Sequence, residues 1–222
     1  MKKSIAVLGL GKYGMSLAKA MYDMGADVLA VDKDEEKVKE AAASSTEAVC
    51  MDLSNEEEIS TLDLKNMDIV VSAMGRNLAA SIMAVSVSKE QNVPSVVAKS
   101  SSVRMSSILK KIGADKVIIP EEESGIRSAR ILASDTFLDY FRVDENLCMI
   151  EMNPYHDWID RSPLELNLRK QYRINIVAKQ EKPGDKWELI NPVDKLSETC
   201  RLLIVLEESQ LAKLTKLRKQ GE

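Results

Sequence analysis

The first 119 residues alternate short apolar runs with stretches of helical spacing. "SIAVLGL" is continuous and β-branched, the pattern of a buried strand. "YGMSLAKAMYDMG" follows with apolar residues at Met15, Leu17, Ala18, Met21 and Tyr22, a helical repeat that Gly25 brings to a stop. "DVLAVD" reads as a second strand, and "DEEKVKEAAAS" as a helix whose early acids complement its dipole. "TEAVCMD" is the third strand, and "SNEEEISTL" a helix opened by a Ser/Asn cap. "DIVVSAM" gives the fourth strand, and "NLAASIMAVSVSKEQN" an almost wholly apolar helix that should be well buried. "SVVAKS" and "DKVIIP" complete six strands, separated by the helix "SVRMSSILKKIG". Continuous apolar strands alternating with helices predict an α/β fold, a doubly wound parallel sheet of Rossmann type over residues 1–119.

The pattern changes after Pro120. "EEESGIRSARILASDTFLDYF" reads as a helical run, broken near Ser134 and Asp135, where a second, shorter helix would be capped. Residues 120–140 are therefore expected as crossover helices. From about Phe141 come the strands "NLCMIEM", "INIVAKQ", "WELI" and "RLLIVL", with the helix "SPLELNLRKQY" between the first two and "SQLAKLTKLRKQ" at the end. Residues 141–222 should form a small α+β lobe, marginal alone and stabilised by dimerising.

Within the first strand and helix lies "GLGKYG", the order G-x-G-x-x-G. Its context is complete: a strand before it, a helix after it, and a second strand ending in Asp32 about twenty residues downstream. Gly9 would permit the tight turn, Gly11 the approach of backbone to phosphate, and Gly14 the packing of helix on sheet, with free N–H groups and the helix dipole facing the phosphates. Asp32 would bond an adenosine ribose and repel the 2′-phosphate of NADP. Lys12 and Tyr13 fill the variable places; Lys12 reads either as reaching a terminal phosphate or as a solvated lysine on the first turn. Asp34 reads as assisting Asp32 or as capping the next helix. Asp52 reads as flanking the adenine or as a helix-entry residue.

Composition narrows the function. Of 222 residues, 45% are hydrophobic and 30% charged, as in ordinary globular proteins. A net charge of −4 argues against a nucleic-acid partner, which wants a basic surface. Cys50, Cys148 and Cys200 follow no metal spacing and read as small apolar core residues in a reducing compartment. The lysines before "SIAVLGLG" imitate a signal peptide, but the apolar stretch is short and broken by glycine. Residues 78–87, the longest apolar segment, fall far below the twenty or so needed to span a bilayer. The lone His156 lies in a loop of the second lobe, and no Tyr-x-x-x-Lys pair is present, so an NAD-dependent oxidoreductase is the weaker alternative and a nucleotide sensor the stronger. The sensor reading itself leaves the kind of partner open.

Three stretches in order carry a family resemblance: "IAVLGLGKYGMSLAKAMYDMGADVLAVDKDEEKV", "ILKKIGADKVIIPEEESG" and "LRKQYRINIVAKQ…NPVDKL". Nearly end to end the chain resembles the RCK proteins, the regulators of potassium conductance, of the Ktr and TrkA kind. The resemblance implies a cytosolic homodimer assembling into an octameric ring on a membrane potassium-translocating subunit. It implies ATP or ADP, in other branches NAD or NADH, in the N-terminal lobe, with ligand exchange gating ion flux and no catalysis. Glu121 would face its symmetry mate near the terminal phosphates with Mg²⁺ or Ca²⁺ between them; Glu122 and Glu123 read only as favouring a helix start. The C-terminal lobe would take cyclic di-AMP, with Arg169 on its phosphates, Asn175 on a base edge, and Ile176 and Pro192 as apolar walls. An amphipathic helix with solvated arginines explains the same stretch, and Arg173 matches nothing in the family pattern. Where ATP-responsive members carry arginine after the second glycine, this chain has Lys12, which keeps charge but loses the bidentate fork. ATP is preferred, and NAD stays open.

Overall fold

The computed structural model describes residues 2–216. By its internal contacts the chain divides into two compact units, Met1–Glu121 and Glu122–Glu222. In the first, β1 (Ser4–Leu8), β2 (Asp27–Asp32), β3 (Glu47–Cys50), β4 (Ile69–Ser72), β5 (Ser95–Lys99) and β6 (Lys116–Ile118) form one sheet in the order β3-β2-β1-β4-β5-β6. Every pairing is parallel, as the continuous apolar runs require. Alternation along the strands divides the core. Ala6, Leu8, Leu29 and Val31 pack with α3 (Glu56–Thr61), α4 (Leu78–Glu90) and α5 (Val103–Lys111) on one face. Ile5, Val7, Val28 and Ala30 pack with α1 (Lys12–Asp23) and α2 (Glu35–Ala42) on the other.

The chain leaves β1 for β2 and β3 on one side, then returns to β4, β5 and β6 on the other. That reversal opens a crevice at the carboxyl ends of β1 and β4, where ligands of doubly wound sheets bind. The apolar helix α4 is buried as expected, and its two buried serines are satisfied by carbonyls: Ser88 Oγ donates one turn back to Ala84 at 2.5 Å, and Ser81 Oγ to Met74 in the loop before the helix at 2.9 Å. Ser72, fully buried at the end of β4, is different, because its hydroxyl has no hydrogen-bond partner among the described residues.

In the second unit α6 (Pro120–Leu132) leads into β7 (Phe137–Arg142), β8 (Leu147–Met152), β9 (Ile174–Gln180), β10 (Glu188–Leu189) and β11 (Arg201–Glu207), an antiparallel sheet ordered β10-β9-β11-β8-β7. Ile150, Met152, Leu202 and Ile204 line one core with Trp158 and Leu214. Two ion pairs tie α6 to this lobe: Arg127 grips Asp139 with two bonds of 2.8 and 2.5 Å, and Arg130 reaches Glu208 at 2.5 Å.

Three expectations are corrected. Residues 137–142 form strand rather than a second short helix; the aromatic, pleat-loving "FLDYF" pairs with β8 through a register shift between Phe137 and Asp139 that hides its period of two. "SPLELNLRKQY" is two short helices, α7 (Pro163–Leu166) and α8 (Leu168–Tyr172), because Asn167 takes a left-handed φ of 50° between them. Cys50 is exposed, its thiol donating to the Lys33 carbonyl at 3.5 Å, whereas Cys148 and Cys200 are buried as read. The terminal helix is described as α9 (Leu211–Lys216), and the rest of "KLTKLRKQ" lies outside the described residues.

Candidate functional site

The glycine turn is built by three different constraints. Gly9 has φ +99°, a left-handed value that favours glycine, and its N–H donates to the Val31 carbonyl at 2.7 Å. A Cβ on Gly14 would lie 1.9 Å from the Gly9 carbonyl oxygen, so only glycine lets α1 start this close to β1. Gly11 is the N-cap of α1, makes no side-chain cap, and a Cβ there would meet nothing within 4 Å. No side chain caps the start of α1, and a helix N-terminus left uncapped is suited to an anion.

Asp32, at the end of β2, is buried beside this turn. Its Oδ2 accepts the Leu10 N–H at 2.6 Å and its Oδ1 the Asp34 N–H at 3.0 Å, with Lys37 Nζ at 3.7 Å. Gly9, Asp32 and Asp52 line one cleft together with Lys33, Lys37, Leu53, Ser54, Met74, Asn77 and Ala80. The cleft holds about 180 Å³, below the roughly 300–1,000 Å³ of sites that engulf a whole drug-sized ligand. Its apolar wall (Leu53, Met74, Ala80) suits a flat ring, and its polar rim suits a sugar.

Asp34 caps α2 through the Glu36 N–H at 3.1 Å and pairs with Lys37 at 3.3 Å. The Lys37 contact, helped by that N–H, holds its carboxyl below the usual range. Asp52 Oδ1 accepts the Ser54 N–H at 2.9 Å, which holds its carboxyl low as well, while the Asp52 N–H donates to Glu58 at 3.0 Å. Asp52 thus makes both a helix-entry contact and part of the cleft wall. Asn77 caps α4 and donates to Ser54 Oγ at 3.2 Å, bracing the opposite wall.

Gly11, Lys12, Tyr13, Gly14 and Glu121 lie outside the lining of this cleft. Lys12 is exposed on the first turn of α1. Glu121 follows β6 and accepts Lys99 Nζ at 2.6 Å; that ammonium, with a smaller push from Arg76, keeps the Glu121 carboxyl below its usual range. Lys99 Nζ also stands 5.8 Å from the centre of the Tyr13 ring. Among the described residues no cluster of three metal-ligating side chains occurs.

In the second unit Arg169 is exposed on α8, Asn175 is exposed on β9 opposite Val205, and Ile176 packs partly on the lobe's own core. The Pro192 carbonyl accepts the Leu164 N–H at 3.0 Å. Among the described residues no hydrogen bond joins these four to one another. Arg173, left-handed at φ 56°, pairs with Glu207 at 3.6 Å, and His156 is exposed at the start of a short 3-10 helix, His156–Trp158. Sequence reasoning missed Lys33, Lys37, Asn77 and Lys99. Asn77 was legible as a cap before an apolar run; the lysines were not, since their place depends on which strands lie side by side.

Residues 5–120 match the TrkA-N domain. The chain is 37% identical over 178 residues to the Ktr system potassium uptake protein C of Bacillus subtilis, covering 80% of each. It is 32% identical over 215 residues to the Ktr system potassium uptake protein A of Vibrio alginolyticus, covering 90% of this chain and 98% of that one. A solved GsuK channel bound to NAD aligns with 98% of this chain at a TM-score of 0.67 and 14% identity, a likeness of fold, and this chain spans 39% of that one. No helix among the described residues is long and apolar enough to cross a membrane.

Proposed function

This chain belongs to the TrkA-N family of RCK-type potassium uptake proteins, and on that premise we propose that it is the nucleotide-binding regulatory subunit of a membrane potassium channel or transporter. The observation that carries the reading is the cleft at the switch point of the sheet, where Gly9, Asp32 and Asp52 converge beside an uncapped helix N-terminus. Adenosine would sit in the cleft, its ribose hydroxyls on Asp32, and its phosphates would run outward past Gly11 toward Lys12. ATP or ADP fits best, since Lys12 offers a point charge to a terminal phosphate; NAD or NADH would use the same ribose and pyrophosphate contacts. The ligand acts by binding two states of the protein unequally, not by reacting.

A homodimer, and an octameric ring of such dimers, would present the nucleotide state to the channel at the inner face of the membrane. Support comes from α6, which has no buried residue and leaves Ile126 40% and Leu132 84% exposed, two apolar side chains that a second copy would cover. Glu121 of each copy would contribute one carboxylate to a Mg²⁺ or Ca²⁺, the remaining oxygens coming from phosphates. In the C-terminal lobe Arg169, Asn175, Ile176 and Pro192 would hold cyclic di-AMP across a two-fold axis. The domain reading that goes with this is a nucleotide lobe over 1–119, a crossover carried by α6, and a ligand-binding dimer lobe that takes in β7 together with 141–222. A dehydrogenase finds less support, because the curated relatives named above are potassium uptake proteins.

The test is a melting series with ATP, ADP, NAD and NADH, followed by potassium flux with the partner channel. A true ligand at 100 times its Kd should stabilise the protein by about 2.7 kcal/mol. Glu121→Gln should abolish divalent-ion activation of the flux while leaving nucleotide binding in place. Absence of any nucleotide-dependent shift would end this reading.

A further inference from the structure

Lys99 has no part in the roles assigned so far, yet its position is tightly prescribed. It ends β5, and its stem runs along Gly75: a Cβ on that glycine would lie 3.2 Å from Lys99 Cγ and 3.3 Å from Cδ. The side chain is only 15% exposed, while that of its partner Glu121 is 67% exposed. The lysine is thus fixed by packing, and the carboxylate is the half of the pair able to leave. Glu121 regains water when it swings away, whereas an unpaired, largely buried lysine does not.

The ammonium stands 5.8 Å from the centre of the Tyr13 ring, and Tyr13 belongs to the first turn of α1, the end of the site assigned above to the phosphates. In the sheet order, β5 is three strand spacings from β2, where Asp32 would hold the ribose; that is about 14 Å. Phosphates next to the ribose stay near Gly11. Only the far end of a longer polyphosphate extends toward Lys99.

We propose that Lys99 counts phosphates: its ammonium passes from Glu121 to the terminal phosphate of a nucleoside triphosphate, and the released Glu121 carboxylate becomes available to a divalent cation. A diphosphate is too short and leaves the Lys99–Glu121 pair closed. The inference rests on the nucleotide reading above and adds to it the means by which tri- and diphosphate states differ. Lys12, exposed on the helix, supplies charge to either ligand; Lys99 distinguishes them.

The experiment is calorimetric titration of the full chain with ADP and ATP, in EDTA and in Mg²⁺. Lys99→Gln should weaken ATP about tenfold, the loss of one charge-assisted bond, and leave ADP nearly unchanged. Lys99→Arg should retain ATP binding. Glu121→Gln, which releases the ammonium beforehand, should tighten ATP severalfold in EDTA. Equal loss of ADP and ATP in Lys99→Gln, or loss of neither, overturns the proposal. Should Lys99→Gln fail to fold, unchanged or weaker ATP binding by Glu121→Gln in EDTA overturns it independently. If the wild-type chain takes up neither nucleotide, the functional reading itself falls; if it takes up both and the variants behave alike, only the role of Lys99 falls.

Discussion

The Asp32 carboxylate accepts the backbone N–H of Leu10 at 2.6 Å, across 22 residues of sequence. The acid that would hold a ribose therefore also holds the glycine turn. Asp32→Ala should leave the Leu10 N–H unsatisfied, costing about 1–3 kcal/mol, and lower Tm by several degrees without any ligand. On top of that loss, the shifts produced by ATP and by NAD should both shrink. Unaltered ligand-induced shifts, read on the variant's own baseline, would remove the ribose assignment.

Gly11 and Gly14 should separate binding from folding. Gly11 has φ −67° and ψ −179°, which alanine adopts freely, and its Cβ meets open space. Gly11→Ala should leave stability within about 0.5 kcal/mol while weakening nucleotide about tenfold or more, since the methyl enters the path of the phosphates. Gly14→Ala places a methyl 1.9 Å from a carbonyl oxygen and should cost about 3 kcal/mol or more. Urea unfolding and titration of both variants check the contrast.

Alkaline pH should strike the second lobe. Burial, reinforced by the Glu208 carboxylate, pushes Tyr140 up to about 12, and the same two causes push Cys148 up to about 12. In the unfolded chain these groups titrate near 10.0 and 9.0. Their neutral forms are thus favoured by folding, so the stability they contribute is complete below about pH 9 and is lost as pH rises toward 12. Tyr140→Phe should flatten the fall of Tm between pH 10 and 11.5, leaving the thiol's share. An identical pH slope in wild type and variant would show that the tyrosine is not responsible.

Arg169→Ala tests the C-terminal lobe. A two-fold dimer presents each residue twice around one axis, so a two-fold ligand is gripped alike from both sides. Calorimetry on the full chain should give one cyclic di-AMP per dimer, abolished by the substitution. No heat with wild type at high micromolar ligand would leave the lobe as a dimerisation module only.

The parallel sheet was legible because strands buried on both faces read as near-continuous apolar runs, as the buried stretches of β1, β2 and β4 do; the edge strands β3 and β6 carry Glu47 and Lys116 exposed. Asp32 was legible for a related reason: the residue ending the second strand of such a unit lies beside the turn after the first. β7 was obscured by its register shift, which breaks the alternation a reader looks for. The break between α7 and α8 rests on one left-handed asparagine, Asn167, whose neighbours are good helix formers. Asp34 and Asp52 were left with two readings each, and for both the backbone contact is present in the fold. Lys99 carried no signal, since a lysine ending an apolar strand looks like any solvated boundary residue until β5 is set beside β4.

Ser72 offers a practical lever. A buried hydroxyl without a partner costs about 1–3 kcal/mol relative to an apolar group of similar shape. Ser72→Ala should therefore raise Tm by roughly 2–4 °C per kcal/mol recovered in a chain of this size, and Ser72 is not among the residues lining the cleft. Built on that background, Asp32→Ala and Gly14→Ala would have thermal headroom, and their ligand titrations could be run on folded protein.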